Sequence, residues 1–419
     1  MAIDTNGTSA GHSISFEKFY NTVNGKLVTT AKSIHGVNPS TLETLPDVPL
    51  STEEDLNAAV TAARNAAPGW AETPLEERQK AVISFADALE ALKSSFADML
   101  VQENGKPLPV AQGEVANGAH WLRTQAGLSF PEEVVEDTDD RVIVTRYSPL
   151  GVAAAIVPWN FPLMLACGKI APALITGNAL IMKPSPFTPY CGLKLGELAQ
   201  RFFPPGVFQV LSGDDNLGPW ITGHPGIDKI SFTGSTATGK RVMESCSKTL
   251  KRVTLELGGN DPAIVCEDVD VQDAAQKITQ LAFLNSGQIC VAIKRVYVHS
   301  SIYSEFLNQI VACLKHYLVG DGKQEGVGLG PIQNSLQYNR VKAFLQEIER
   351  AGLKVATGQG SLAPAADIGK GYFVRPVVVD NPPDTSHVVV DEPFAPILPL
   401  LRWDTDDEVI RRANNRPWV

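Results

Sequence analysis

A single cysteine ends a turn that is typical of a catalytic nucleophile. The stretch Phe283-Leu-Asn-Ser-Gly-Gln-Ile-Cys290 leaves a predicted helix through Ser286 and Gly287 and stops at the thiol. A catalytic thiol needs such a turn between two rigid elements, where a backbone N–H can face the atom that the sulfur attacks. We therefore interpret Cys290 as a candidate nucleophile. Taken alone, the stretch also fits a buried structural cysteine.

A carboxylate stands just before two glycines at the end of a predicted strand, in Leu255-Glu256-Leu-Gly-Gly-Asn260. A carboxylate held among apolar neighbours is a stronger base and can accept a proton near neutral pH. Glu256 is therefore a candidate general base, and a solvent-facing acid at a strand end is the alternative.

A carboxamide lies between two prolines in Val157-Pro-Trp-Asn-Phe-Pro162, which closes another predicted strand. Because proline fixes φ, Asn160 is held in place and its NH₂ group could stabilise an oxyanion. Asparagine in a proline-rich loop is otherwise an ordinary turn residue. Lys183 leaves a further strand in Met-Lys-Pro-Ser185 and could contact a ribose or a phosphate, unless it is simply solvated.

A glycine-bounded turn joins strand to helix in Ser231-Phe-Thr-Gly-Ser-Thr-Ala-Thr-Gly239-Lys240. Free backbone N–H groups and the helix dipole favour phosphate at such a turn. The turn approaches G-x-x-x-x-G-K-[ST], but Arg241 stands where the Mg²⁺-binding hydroxyl would be, and G-x-G-x-x-G is absent as well. A non-standard dinucleotide turn is therefore favoured over a nucleotide hydrolase, with a well-capped helix as the remaining alternative.

The elements that must position these residues alternate regularly between strand and helix. Apolar strands are predicted at 151–157, 179–183, 207–211, 229–232 and 253–257, and helices at 161–175, 189–202, 215–222 and from 235. This pattern predicts a parallel sheet covered on both faces, a doubly wound α/β domain whose ligands bind beyond the carboxyl ends of the strands. A second α/β unit is predicted from strands at 263–266, 295–299 and 372–379, helices at 271–285 and 301–317, and glycine-rich loops at 322–330 and 358–371.

Helices and a hairpin precede the alternating region. Ser51-Thr-Glu-Glu54 reads as a capping box, and a second helix is predicted from Thr73 to Asn104. Two β-rich pieces within 132–149, with turn residues at 137–140, predict a β-hairpin. Such a hairpin suits pairing with another subunit, and an ordinary surface ribbon is the alternative.

Composition excludes several classes of function. The net charge is −10 and the basic residues are scattered, which disfavours a nucleic-acid partner. No apolar run reaches membrane-spanning length, so no membrane partner is expected, and the first twenty residues lack a secretory signal. The six cysteines form no C-x-x-C pair, which argues against bound metal or a disulfide framework. A cytoplasmic location is expected.

Together the motifs resemble the NAD(P)-dependent aldehyde dehydrogenase superfamily, of the non-acylating kind. Phe283-x-x-x-Gly287-Gln288-x-Cys290, with Arg295 five residues beyond, matches its cysteine signature, and Leu255-Glu256-Leu-Gly-Gly matches its glutamate signature. The set is completed, in the order of the family, by Pro158-Trp-Asn160, Lys183-Pro-Ser, Phe232-Thr-Gly-Ser-Thr and Glu392-Pro-Phe394.

The resemblance implies oxidation of an aldehyde to the carboxylic acid through a cysteine thiohemiacetal and a thioester. Cys290 would attack the aldehyde, Asn160 would stabilise the oxyanion, and Glu256 would activate the hydrolytic water. Lys169 matches a lysine near the catalytic centre of the family. By the same resemblance, NAD or NADP would be bound by Ile156, Trp159, Lys183, Ser185, Gly213, Gly234, Ser235, Gly239, Leu257, Glu392 and Phe394.

The resemblance also implies a division of labour along the chain. Residues 1–131 and 150–257 would form the cofactor-binding domain, 132–149 an oligomerisation hairpin, and 258–419 the catalytic domain. A homodimer or homotetramer is expected for a full-length chain. The chain stops where the family usually continues, so we expect an incomplete catalytic domain, lower stability, doubtful oligomerisation and the loss of activity as one outcome.

Two departures bear on the cofactor and the site. Pro186 stands where NAD-preferring members commonly carry a glutamate, which leaves NADP open, with a lean to NAD. Ala395 replaces a glycine often found in the family, a mild change. Two alternatives stay open: a coenzyme A-acylating aldehyde dehydrogenase, disfavoured by Glu256, and a truncated, inactive dinucleotide-binding homologue. The sequence does not determine which aldehyde is used.

Overall fold

The computed structural model describes residues 14–363, 365 and 367–415. Residues 1–13 and 416–419, which begin and end the predicted domains, lie outside the described residues. The strands are β1 (Asn21–Val23), β2 (Lys26–Val28), β3 (Ser33–Val37), β4 (Thr44–Pro49), β5 (Glu133–Asp137), β6 (Val142–Thr145), β7 (Val152–Ile156), β8 (Ala179–Lys183), β9 (Phe208–Val210), β10 (Lys229–Thr233), β11 (Arg252–Glu256), β12 (Asp261–Val265), β13 (Ile293–His299), β14 (Leu318–Val319), β15 (Val327–Leu329), β16 (Val377–Asp380) and β17 (Ile397–Trp403).

Helices separate most of these strands. They are α1 (Glu53–Glu72), α2 (Leu75–Ala91), α3 (Lys93–Asn104), α4 (Leu108–Ala126), α5 (Pro162–Ile175), α6 (Tyr190–Ala199), α7 (Leu217–Gly223), α8 (Thr236–Ser247), α9 (Val271–Phe283), α10 (Tyr303–Leu314), α11 (Ser335–Arg350), α12 (His387–Val390) and α13 (Asp406–Asn414). Among the described residues, none of these helices combines the length and the apolar character that crossing a membrane requires.

The larger sheet has the order β11-β10-β7-β8-β9-β1-β2, and its strands β7 to β11 are parallel. Alternate residues of its central strands point to opposite layers. Ala153 and Leu180 pack with α2 to α6, whereas Val152 and Ile181 pack with α1, α7 and α8. The strands are buried on both faces, which is why they read as continuous apolar runs rather than alternating ones. The predicted doubly wound α/β fold is confirmed.

A second sheet of four parallel strands has the order β12-β13-β17-β16. Helices α9 and α10 pack on one face and α11 to α13 on the other. The predicted second α/β unit is confirmed, although strands β14, β15 and β17 and helices α11, α12 and α13 were not predicted. Strand β16 begins at Val377 rather than at residue 372, because the preceding segment runs without ladder partners.

Two helix predictions need correction. The N-cap of α1 is Thr52, which accepts from the backbone N–H of Asp55 while the Asp55 carboxylate accepts from Thr52, so the capping box begins one residue later than predicted. The helix predicted up to Asn104 is divided at Leu92 into α2 and α3. The predicted hairpin is present as β5 and β6, which pair with each other alone among the described strands.

A buried acid joins α3 to the start of α6. The carboxylate of Glu103 is fully buried and accepts from the backbone N–H groups of Tyr190 at 2.9 Å and Cys191 at 3.1 Å. Burial raises the pKa of Glu103 to about 7, against the lowering effect of the hydrogen bonds from Cys191 and Tyr190. The folded protein therefore holds this proton more tightly than the unfolded chain does.

We predict that Glu103 makes stability depend on pH. Its pKa is higher in the folded state, so its contribution is fully present below about 4.5 and is lost as the pH rises through about 7. The melting temperature of the wild type minus that of Glu103→Gln should fall across this window. The matched control is Glu77→Gln, which changes an exposed acid of α2. A difference that stays constant or grows with pH would contradict the prediction.

Candidate functional site

The cysteine turn has an unusual backbone. After α9 ends at Phe283, the consecutive residues Asn285, Ser286 and Gly287 adopt φ values of 51°, 56° and 72°. Left-handed conformations are uncommon for residues other than glycine and cost about 1–3 kcal/mol each. The surrounding protein must compensate for this cost, so the turn depends on its tertiary contacts.

Buried polar side chains hold the turn. The Ser286 hydroxyl donates to the carbonyl of Gly330 at 2.7 Å, and the Gln288 amide donates to the carbonyls of Asn285 at 3.0 Å and Pro331 at 3.3 Å. At Gly287, a Cβ atom would collide with the carbonyl of Ala395. Only glycine therefore allows the loop that carries residues 392–396 to pack against the turn.

The predicted oxyanion residue is bound to this same turn. Asn160 follows β7 and is 5% exposed, and its Nδ2 donates to the carbonyl of Gln288 at 3.0 Å. The backbone carbonyl oxygen of Asn160 accepts hydrogen bonds from Lys106 Nζ at 2.9 Å, Asn285 Nδ2 at 3.2 Å and Asn104 Nδ2 at 3.3 Å. Since Nδ2 carries two hydrogens, one remains for an acceptor besides Gln288.

A buried ion pair between Lys106 and Glu114 contacts the backbone of Asn160. Lys106 and Glu114 have fully buried side chains and are bonded to each other. Glu114 also accepts from the N–H groups of Leu163 at 2.9 Å and Met164 at 3.2 Å, at the start of α5. Burial lowers the pKa of Lys106, and Glu114 opposes that effect. Neither residue was predicted from the sequence, because their structural role depends on contacts with residues 160 to 164.

The thiol and the carboxamide line one cavity of about 160 Å³. It brings together the predicted residues Trp159, Asn160, Gly234, Ser235, Leu257, Cys290, Glu392 and Phe394. Its wall also includes residues that were not predicted, namely Pro158, Thr233, Gly258, Gln337 and Arg340. A small group bound here would therefore contact both Cys290 and Asn160.

The surroundings of the sulfur set its acidity. Cys290 is half-buried, and burial raises the pKa of its thiol. Lys294 opposes this rise, Glu392 adds to it, and the backbone N–H groups of Val291 and Cys290, which face the sulfur, lower it slightly. The pKa of the thiol is raised overall, and the groups that favour the thiolate are Lys294 and the peptide N–H groups of Val291 and Cys290.

Glu256 lies at the end of β11, the edge strand of the larger sheet, and is exposed. It lines a neighbouring groove of about 840 Å³ together with Lys169 and Ser231, not the cavity of Cys290. Lys169 Nζ donates to Ser231 Oγ at 3.0 Å, and burial lowers the pKa of Lys169 to about 8 against the opposing effect of Glu256. The apolar surroundings expected for Glu256 are therefore not found, since a cation and hydroxyl groups face this groove.

The remaining predicted cofactor residues fall into two groups. Ile156 and Lys183 line a third cavity, of about 540 Å³, whose wall is formed by α7 and by the length of α8 from Thr238 onward. Burial lowers the pKa of Lys183 to about 8, opposed by Asp215 and Asp214. The others do not line these cavities: Ser185 Oγ accepts from the N–H of Phe187, Gly213 packs against Leu217, and Gly239 packs against Leu257.

Comparison with known proteins gives a consistent result. The sequence profile of the aldehyde dehydrogenase family matches residues 27–418. An aldehyde dehydrogenase from a Fusarium species is 43% identical over 399 residues, which cover 95% of this chain and 84% of that relative.

Solved structures agree with the sequence relatives. An NAD⁺ complex of an aldehyde dehydrogenase from Bacillus cereus superimposes with a TM-score of 0.91 at 34% identity, covering 96% of this chain and 82% of that one. A structure described as an NADP-dependent enzyme of E. coli gives a TM-score of 0.92 at 32% identity, with 96% and 84% covered.

We predict that Lys106→Met destabilises the protein by about 3–5 kcal/mol, because Glu114 is left buried without its counter-charge. The loss is measured as the change in the free energy of unfolding in urea. Lys106→Met combined with Glu114→Gln should recover part of it, since a neutral amide can still accept from Leu163. Lys277→Met, which breaks an exposed pair with Asp273, is the matched control and should have little effect. A loss from Lys106→Met as small as that of the control would contradict the prediction.

Proposed function

This chain belongs to the aldehyde dehydrogenase family, and from that premise we propose that it oxidises an aldehyde to the carboxylic acid with NAD⁺ or NADP⁺ as the oxidant. The observation that carries the proposal is the shared cavity of Cys290 and Asn160, with the Asn160 amide bonded to the carbonyl two residues before the thiol. A nucleophile and an oxyanion donor that face one small space are what attack on a carbonyl requires.

The cavities suit an extended dinucleotide. Ile156 and Phe232 line the cavity of about 540 Å³, while Pro158, two residues beyond Ile156, and Thr233, directly after Phe232, line the cavity of Cys290. The N-terminus of α8 lies between, because Ser235 faces one cavity and Thr238 the other. Helix N-termini at the carboxyl ends of parallel strands favour phosphate.

The resemblance to the family implies the chemical roles of the cofactor residues. Lys183, buried beside Asp215, would hold the adenosine ribose, Gly234 and Ser235 the phosphates, and Glu392 with Phe394 the nicotinamide ribose. Ile156, Trp159 and Leu257 would line the path between them, while Ser185, Gly213 and Gly239 lie outside these cavities and would act only through the residues that contact them. The bound nicotinamide would supply the hydride acceptor for the oxidation.

We assign the acylation of Cys290 to the cysteine turn and Asn160. The Cys290 thiolate forms a C–S bond to the aldehyde carbon, and the C=O electron pair moves onto oxygen. That oxyanion receives hydrogen bonds from Asn160 Nδ2 and from the backbone N–H of Cys290. When the oxyanion collapses and the carbon loses hydride, the acyl group remains on the sulfur as a thioester.

Deacylation is assigned to Glu256. Its carboxylate takes a proton from water, the resulting hydroxide adds to the thioester carbon, and cleavage of the C–S bond releases the acid and the thiolate. Lys169 lies in the same groove as Glu256, with a pKa of about 8, and is suited to stabilise the carboxylate there. The groove and the cavity of Cys290 are close along the chain, since Leu257 and Gly258, which line the cavity, directly follow Glu256.

The domain roles remain part of the proposal. Residues 150–257 with the helices before 131 would bind the cofactor, and residues from 258 would supply the thiol. The hairpin 132–149 exposes Val134, Val135, Val142, Ile143 and Val144, an apolar surface suited to pairing with another copy of this chain.

Cys290→Ala should abolish aldehyde oxidation and leave dinucleotide binding intact, because the thiol forms the covalent intermediate. Glu256→Gln should retain a burst of reduced cofactor and slow the steady state by about 10²–10⁴-fold, as expected for loss of a general base. Stopped-flow absorbance of the reduced ring measures both, with tryptophan fluorescence as the binding control. Steady turnover by Cys290→Ala would contradict the assignment. Acid release only with added coenzyme A would favour the acylating alternative.

Cofactor choice should depend on position 186. We expect the wild type to prefer NAD⁺, and Pro186→Glu to lower kcat/KM for NADP⁺ by a further factor of about ten or more, because a carboxylate repels the 2′-phosphate. Pro186→Gln, of similar size and uncharged, is the control. Steady-state kinetics with both cofactors and a panel of short, long and aromatic aldehydes make the comparison. An equal effect of Glu and Gln would contradict the electrostatic explanation.

A further inference from the structure

A second buried cation lies directly behind the nucleophile, and the proposed function has not used it. Lys294 is in β13, four residues beyond Cys290, and is 4% exposed. Its ammonium group donates to the carbonyl oxygens of Ile289 and Cys290, the latter at 3.0 Å. The same nitrogen lies 2.7 Å from Glu392 Oε1.

These contacts connect two walls of the cavity. The carbonyls belong to the cysteine turn, whereas Glu392 lies on the loop between α12 and β17. Glu392 also packs against Gly258, where a Cβ atom would collide with its carboxylate. One ammonium group therefore sets the spacing between the nucleophile and the acid on the opposite wall.

Two charged side chains act on the sulfur of Cys290. Lys294 is the cation that acts on Cys290, and Glu392 is the anion. Arg340 donates to the carbonyl of Glu392 at 3.1 Å, and Asp261 lies beside Gly259 near the Cys290 carbonyl. Burial raises the pKa of Glu392, and Lys294 opposes that rise, so the cation favours the charged form of the acid.

We propose that Lys294 is a positioning residue for the nucleophile: its ammonium group fixes the cysteine turn against Glu392 and supplies the positive charge that stabilises the Cys290 thiolate. Glu392 limits this stabilisation, because its negative charge acts on the sulfur in the opposite sense. The inference rests on the proposed role of Cys290 as nucleophile and assigns to Lys294 a task that a histidine base performs in many other thiol enzymes.

If this arrangement controls the acidity of the thiol, removing Lys294 and removing the charge of Glu392 should shift the pKa of Cys290 in opposite directions. Removing the cation leaves the thiol with burial and an unopposed carboxylate, so the thiolate forms at higher pH. Removing the carboxylate charge leaves the cation unopposed, so the thiolate forms at lower pH. A pair that served only to stabilise the fold would not move the acidity of the thiol in opposite directions.

The test is the pH dependence of alkylation by iodoacetamide, followed by mass spectrometry of the peptide that contains Cys290. The full chain is compared with Lys294→Met, Lys294→Arg and Glu392→Gln, and Cys290→Ala identifies the signal. Lys294→Met should shift the midpoint up by about one pH unit, which is about a tenfold slower reaction at a fixed pH below it. Lys294→Arg should stay near the wild type, and Glu392→Gln should shift the midpoint down.

A Lys294→Met profile that superimposes on the wild type would overturn the proposal. If Lys294→Met does not fold, Glu392→Gln decides: a downward shift supports the proposal, and an unchanged or upward midpoint overturns it. The measurement needs neither aldehyde nor cofactor, so it stays informative if aldehyde oxidation is not observed. Where oxidation is observed, the acidic limb of kcat/KM against pH should shift with the alkylation midpoint.

Discussion

The backbone carbonyl oxygen of Asn160 links the segment before α4, the larger sheet and the cysteine turn by hydrogen bonds. It accepts hydrogen bonds from Lys106 on the segment between α3 and α4, and from Asn285 in the cysteine turn. Its residue follows β7 of the larger sheet, while the turn leads into β13 of the smaller one. Because an unpaired buried donor costs about 1–3 kcal/mol, these groups keep their places together, and the thiol is fixed relative to the carboxamide.

Two buried ion pairs flank the cysteine turn and do different physical work. Lys106 and Glu114 are fully removed from water and hold Asn160 and the start of α5. Lys294 and Glu392 both act on the sulfur, and Glu392 also lines its cavity. Desolvation offsets much of the attraction in such pairs, so their value lies less in net stability than in the geometry that they enforce.

In the left-handed turn before the thiol, an unfavourable backbone conformation is offset by side-chain hydrogen bonds. Asn285 and Ser286 adopt φ values of 51° and 56°, which isolated peptides avoid. Their side chains donate to Asn160 and Gly330, so the residues that pay the local cost also make the contacts that offset it. Glu256, in contrast, lies exposed at the end of an edge strand.

Reading the amino-acid sequence was enough to predict the alternation of strands and helices and to find the residue types at the strand ends. Both depend on local properties, namely the apolar runs of doubly buried strands and the glycines and prolines that follow them. It therefore predicted the doubly wound fold, and it identified Cys290, Glu256 and Asn160 as candidates. It also misplaced the cap of α1 by one residue, because Ser51 and Thr52 satisfy the same pattern.

The side chains that surround those candidates became identifiable only once folding brought them together. For Lys106, Glu114 and Lys294, the sequence shows a charge but not its partner, and the partners lie up to 98 residues away. The tertiary structure also decided that Glu256 faces a separate groove from Cys290. Long-range contacts of this kind depend on how two sheets and their helices pack, and no local spacing in the chain encodes that arrangement.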